Sequence, residues 1–487
     1  MLERAAMTDA AFLAEATDLL GPRGLTQDAD LVTPWLTDWR GRFTGRALAL
    51  ASPADTAELA ALVKLCARHG VPIVPQGGNS GMCGGATPDP DGRSLLLSLR
   101  RMDRIEPVDP AAQQVTCGAG TVLETLHRAA EAAGLRFPLS LGGKGSATVG
   151  GLISTNAGGT QVLRHGTMRA LVLGLEAVLA DGSVLSTLRP LRKDNRGFDL
   201  KQLLIGSEGT LGIVTAATLK LVPAVAERIV VWAGLSSLQA ARRLLLACED
   251  RLGSAVEGFE IVPAASLSAV LDYLPAARPP LAGSHAWHAL IEVVADAEAA
   301  PTLRDRVEQA IAEAFERELV EDAILSASEA QAEALWQLRE SVPMAERAKG
   351  PAMQHDISVP VQDMPDFIDA AVPALEAAFP GVEAVAFGHL GDGNVHFHVL
   401  APAGVDTARW PLETGKQISA MVHDLVVKWH GSISAEHGIG QLKQAELERV
   451  GDPAALGLMR RIKLALDPQG LLNPGKLVAL APAEATD

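Results

Sequence analysis

The feature that most constrains this chain is where its 46 glycines fall. Three stretches concentrate them: QGGNSGMCGG at 76–85, GGKGSATVGGLISTNAGG at 142–159 and GSEGTLG at 206–212. A residue without a Cβ reaches backbone conformations closed to others and lets a second group approach closely. Loops of this kind expose successive N–H groups able to bind phosphate oxygens, and Asn79, Ser80, Ser207 and Thr210 add side-chain donors. None fits GxGxxG opening a helix with an acidic residue about 20 positions on, and none fits GxxxxGK[ST]. A dinucleotide fold other than the Rossmann or P-loop type is required.

A length of 487 residues predicts two or three domains. From Ala51 the pattern reads as a helix with Ser52 as N-cap candidate, then a strand, VPIVP, running directly into the first glycine loop. SLLLSL, QQVTCGAG, TVLETLHRAAEAAG and VLGLEAVLADGSVL continue an alternation of strands, helices and turns to about Pro223. Long Ala/Glu/Arg-rich helices such as APTLRDRVEQAIAEAFERELV follow, separated by strands such as HALIEVVA. The expected organisation is residues 1–223, 224–430 and a C-terminal segment 431–487.

The net charge of −16, one tyrosine and 4% aromatic content argue against nucleic acid, which needs basic and stacking surfaces. Cys66, Cys83, Cys117 and Cys248 show no CxxC spacing and read as inert thiols. The N-terminal residues lack an apolar run with a cleavage site, and no later run reaches about 18 apolar residues. A cytoplasmic protein without a transmembrane segment is expected.

In AFGHLGDGNVHFHVL, a GDG turn between two strands would set His389 across from His396, with His398 on the same face as His396. Two imidazoles can then share one ion. Glu436 and His437 in SAEHGIG supply a third ligand and a base. Three protein ligands with an open position suit catalytic zinc, and nitrogen and oxygen donors also accept manganese, iron or cobalt.

The segments PQGGNSGMCGG, TNAGGTQVLRHG and DLKQLLIGSEGTLGIV resemble the FAD-binding domain of the vanillyl-alcohol oxidase type. GHLGDGNVHFH, SAEHGIGQLK and LDPQGLLNPGK are similar to the C-terminal signature of FAD-linked D-2-hydroxyacid dehydrogenases, which include D-lactate and D-2-hydroxyglutarate dehydrogenases. Together the resemblance spans about Asp38 to Lys476. It implies an α+β protein: a two-part FAD-binding domain, an α+β substrate (cap) domain with an antiparallel sheet, and a C-terminal helical segment returning to the FAD domain and completing the active site. Carried residue by residue, it assigns the cofactor to Gln76, Gly77, Gly78, Asn79, Ser80, Gly81, Gly142, Gly145, Ser146, Gly150, Gly151, Asn156, Gly158, Gly159, Glu208, Gly209, Gly212, Ile213 and Asn473. Covalent members carry a histidine after the first glycine pair. Asn79 stands there, so non-covalent FAD is expected.

The resemblance also makes His389, His396 and Glu436 the metal ligands and His437 both a substrate contact and the group that takes the hydroxyl proton as hydride passes from C2 to flavin N5. Arg339 in WQLRES matches the arginine that holds the substrate carboxylate, a task suited to a planar guanidinium. Hydroxyglutarate enzymes use a threonine, a lysine and an asparagine where this chain has Pro343, Gln354 and His398. Without the lysine a second carboxylate lacks its counter-charge unless Lys349 substitutes, so D-lactate or a similar monocarboxylate is expected, with D-2-hydroxyglutarate or D-malate the alternative. The expected electron acceptor is electron-transfer flavoprotein, a quinone or a cytochrome rather than oxygen. A homodimer is the default assembly. A metal-dependent hydrolase and a non-catalytic flavin-binding or assembly protein are the rival readings; the hydrolase leaves the glycine loops unexplained.

Overall fold

The computed structural model describes residues 2–191 and 193–480 and divides into two compact units. The first comprises residues 1–159, 166–223 and 436–487, and the second comprises 160–165 and 224–435.

In the first unit, strands Leu50–Ala51, Leu95–Ser98 and Ile73–Gln76 are parallel, and Leu25–Thr26 pairs antiparallel at the edge. Parallel strands covered on both faces are apolar throughout, and Leu95, Leu96 and Leu97 are fully buried. Helix Thr56–His69 buries Leu59, Leu62, Val63 and Cys66 in this core. Its N-cap is Asp55, whose carboxylate accepts the Glu58 N–H, and Glu58 in turn accepts the Ala54 N–H. Ser52, the expected cap, is instead buried, its hydroxyl without a partner. Reciprocal capping needs an acceptor three residues ahead of a Glu, a spacing that Asp55 meets and Ser52 does not. A second sheet, antiparallel, runs Gln114–Gly118, Ile213–Lys220, Val172–Val178, Val184–Ser186.

The C-terminal segment extends the first sheet. Ile73 N–H donates to Leu471 O and Asn473 N–H to Ile73 O. The buried Lys463–Asp467 pair pins it: Lys463 donates to Thr210 O and Leu472 O, while Asp467 accepts the N–H groups of Leu471 and Leu472. Every buried polar atom of that pair's charged ends thereby has a partner, the condition under which a buried ion pair is tolerated.

The second unit is built on a seven-stranded antiparallel sheet in the order Asp322–Leu325, Glu227–Leu235, Trp287–Ala295, Val256–Pro263, Glu383–His389, Asn394–Leu400, Ala352–Ser358. On one face Trp232, Leu290, Val262 and Phe387 pack with residues of helices Ala264–Tyr273, Glu329–Glu340 and Val342–Lys349. Phe397, of opposite parity, turns to the other face and meets Phe367 of helix Met364–Ala378. Residues 160–165 belong to this unit through Arg164, which pairs with the buried Glu257, and Leu163, which covers Gly391.

Candidate active site

The glycine loops of the first unit serve two purposes. A Cβ on Gly78 would lie 1.7 Å from Ser146 O, on Gly77 2.3 Å from Thr148 Oγ1, on Gly150 2.7 Å from Ala119 Cβ, and on Gly159 2.2 Å from Ser140 O. These glycines let loops pack on one another. Around Gly81, Gly142 and Gly145 nothing lies within 4 Å, and Gly151 meets only Thr148 Oγ1. Those positions are open, with backbone N–H groups that a side chain would not cover.

Three of the non-glycine residues with left-handed φ fall in the same loops, Asn79, Asn156 and Glu208, and a fourth is Asn473 of the C-terminal segment. The three asparagine side chains brace these loops. Asn79 Nδ2 donates to Thr37 O, Asn156 Oδ1 accepts Arg169 N–H, and Asn473 Nδ2 donates to Gly85 O and Glu208 O. Gln76, ending its strand, donates to Trp35 O and Ala86 O. Three buried oxygens here, Gln76 Oε1, Thr148 Oγ1 and Asn473 Oδ1, have no partner within the protein. Buried orphan acceptors beside open glycines fit a polar cofactor that supplies the missing donors. Ser80, Ser146, Gly158, Gly209, Gly212 and Ile213 lie in or beside these loops.

Glu208 has a further, local role. Both of its oxygens accept backbone N–H groups, Oε1 from Ile439 and Oε2 from Gly440, each at 2.7 Å. Burial pushes this carboxyl up, against the two N–H groups and Lys443, which pull it down. Glu436 and His437, both half-buried, begin the segment that Glu208 grips.

In the second unit the two histidines of the hairpin are diagonal neighbours. His389 stands opposite Asn394 and His396 opposite Phe387, with the two imidazole centroids 5.3 Å apart. The expected direct pairing is corrected by the connection, residues 390–393, which shifts the register while keeping both rings on one face. His398, opposite Val385, shares that face by alternation.

The organising group is Glu260, absent from the sequence reading. It is fully buried on the neighbouring strand, opposite His389. Its Oε2 accepts Arg339 Nε–H at 2.8 Å and its Oε1 lies 2.5 Å from His389 Nδ1. Burial alone would raise this carboxyl, yet Arg339, His389 and His396 outweigh it and hold it well below the ordinary range. The Arg339 guanidinium also lies 4.9 Å from the Phe387 ring centre. Burial, then Arg339 and the neighbouring His389, push His396 well below its usual value, which favours the neutral ring. A carboxylate on Nδ1 of His389 leaves Nε2 for a ligand, and a neutral His396 offers a lone pair: this donor set fits a divalent cation.

Asp356, buried, faces His396 across the strand pair and accepts Asn394 Nδ2 at 2.9 Å. One step along the same strands, Gln354 faces His398. His398 Nδ1 is bonded to the buried Glu346 carboxylate, which also accepts Ser266 Oγ–H. Pro343 sits in the first turn of its helix, where its missing N–H costs nothing. Lys349, the one cation that could substitute for the missing lysine, is exposed and paired with Glu383. Carboxylates in an otherwise apolar strand, Glu257 and Glu260 in VEGFEIVP, were the available sign of Glu260; Glu346 and Asp356 carry no comparable signal.

Residues 225–477 match the family model of the FAD linked oxidases, C-terminal domain, and 47–188 that of the FAD binding domain. The chain is 36% identical over 461 residues to the probable mitochondrial D-2-hydroxyglutarate dehydrogenase of Oryza sativa subsp. indica, covering 94% of this chain and 80% of the relative. It is 36% identical over 471 residues to the D-2-hydroxyglutarate dehydrogenase of Xanthomonas citri pv. viticola, covering 97% of each. Among solved structures it is similar to p-cresol methylhydroxylase (TM-score 0.72, 15% identity, 96% of each chain) and to 4-ethylphenol oxidase from Gulosibacter chungangensis (TM-score 0.71, 18% identity, 97% of each). Fold and family together define an α+β flavin-dependent oxidoreductase of the vanillyl-alcohol oxidase type. Within that class the chain belongs to the FAD-linked D-2-hydroxyacid dehydrogenases. Family membership leaves the hydrolase and non-catalytic readings without support. No helix among the described residues is long and apolar enough to cross a membrane.

Proposed function

We propose that the enzyme oxidises D-2-hydroxyglutarate to the corresponding 2-oxo acid with non-covalently bound FAD, assisted by a divalent cation, zinc by its donor set, on His389, His396 and Glu436. The names of the relatives support a dicarboxylate over the monocarboxylate expected from Gln354. One observation carries the reading: His396 with Asp356, and His398 with Gln354, occupy successive positions on one face. Two residues along a strand is about 7 Å. A five-carbon diacid spans that step from hydroxyl to distal carboxylate, and a three-carbon acid does not. Charge neutralisation judged from one position missed this, because hydrogen-bond donors of the Gln354 amide and the His398 imidazole also bind a carboxylate.

When bound, FAD would accept the hydride, and a divalent cation would acidify the substrate hydroxyl as it does bound water. Arg339, aimed by Glu260, holds the proximal carboxylate, and His437 takes the hydroxyl proton. Electrons leave to an acceptor other than oxygen, of the electron-transfer flavoprotein, quinone or cytochrome kind, in a cytoplasmic setting. The test is a comparison of kcat/KM for D-2-hydroxyglutarate, D-malate and D-lactate with an artificial acceptor. Hydroxyglutarate leads on this reading; a clear preference for D-lactate overturns it.

A further inference from the structure

The Glu208 carboxylate lies amid three glycines of two separate loops. A Cβ on Gly85 would come within 3.3 Å of Oε2, one on Gly438 within 2.9 Å of Oε1, and Gly440 supplies one of the two N–H donors. Gly438 and Gly440 both have left-handed φ, and Glu208 itself adopts φ +51°. A glutamate keeps that conformation only where its surroundings over-determine it. Here they do: Asn473 Nδ2 donates to the Glu208 carbonyl from one side, while the carboxylate receives Ile439 and Gly440 from the other. Cys83 closes the same turn, its carbonyl accepting the N–H groups of Gln441 and Leu442 and its thiol donating to Gly438 O. Both carboxylate oxygens are thus committed to the backbone immediately after His437.

We propose that Glu208 is a positioning residue for His437, acting through the N–H groups of Ile439 and Gly440 to fix the turn from which the imidazole is presented. The proposal rests on the reading of His437 as the proton acceptor. Two adjacent N–H donors require two acceptor oxygens. In Glu208→Gln one oxygen becomes an NH2 group, which sets donor against donor and releases one end of the turn.

The experiment is a double-mutant cycle on the FAD-loaded enzyme, read as the rate of anaerobic flavin reduction by D-2-hydroxyglutarate, with bound flavin per chain and substrate dissociation constant measured alongside. Once loaded with FAD, Glu208→Gln is expected to keep its substrate affinity and to lose about 100-fold in reduction rate, the scale of a misplacement near 1 Å. In the His437→Asn background the same change is expected to add no further loss, because the group it positions is gone. Additive losses, or a Glu208→Gln enzyme that sheds flavin and reduces normally once reloaded, overturn the proposal. Should Glu208→Gln fail to fold, Glu208→Asp takes its place in the cycle: it keeps both oxygens but shortens their reach, and an effect smaller in rate yet still absent beside His437→Asn is expected. If His437→Asn alone leaves the reduction rate unchanged, the base assignment fails; if it is slow while Glu208→Gln is fast, only the positioning role fails.

Discussion

Glu260 Oε2 accepts the Nε–H of Arg339 at 2.8 Å from a site with no solvent exposure. The same carboxylate touches His389, so one buried charge aims both the proposed substrate anchor and a proposed metal ligand. Glu260→Gln leaves two cationic or polar partners underpaired in the interior. We expect a stability loss of about 3–5 kcal/mol by chemical denaturation and a 10- to 100-fold fall in kcat/KM. Wild-type activity in this variant would remove Glu260 from the account.

The two kinds of glycine separate by alanine substitution. Gly78→Ala places a Cβ 1.7 Å from Ser146 O, so the loops cannot pack and both thermal stability and FAD retention should fall. Gly81→Ala meets nothing within 4 Å, so the apo protein should melt as wild type does while FAD binds more weakly. Equal effects of the two changes on apo stability would contradict this division.

Helix Thr56–His69 offers a smaller test. Asp55→Ala removes the acceptor of the Glu58 N–H and should cost about 1 kcal/mol. Ser52→Ala deletes a buried hydroxyl that has no partner and should be neutral or stabilising in the same denaturation assay.

His288, buried and accepting Trp232 Nε1–H, has its pKa pushed down to about 4 by burial and then by His285. Between the ordinary 6.5 and about 4 the unfolded chain binds a proton that the folded chain refuses. Stability from this group is therefore complete above pH 6.5 and declines on acidification, by up to about 3 kcal/mol. His288→Gln should flatten that part of the stability–pH curve; an unchanged slope would assign the acid sensitivity elsewhere.

The hairpin at 383–400 was legible because alternation and a Gly-Asp-Gly turn are local signals. Its register was not, since the diagonal relation of His389 and His396 depends on the conformation of four connecting residues. Glu260 was harder still: its partners are Arg339 and His389, brought in from distant segments by sheet order, and a glutamate in a strand does not announce them. The glycine clusters were conspicuous, but whether a missing Cβ admits Ser146 O or a ligand is decided only when the loops are folded. Lys349 looked available on spacing alone; the strand bearing Glu383 gives it a partner.

The most direct measurement is anaerobic mixing of the FAD-loaded enzyme with D-2-hydroxyglutarate or with its L-enantiomer, following the flavin absorbance. The account predicts rapid bleaching with the D-acid, none with the L-acid, and loss of the D-acid response after chelation of the metal that returns on adding zinc. Bleaching by both enantiomers, or a D-acid response indifferent to complete metal removal, would contradict it.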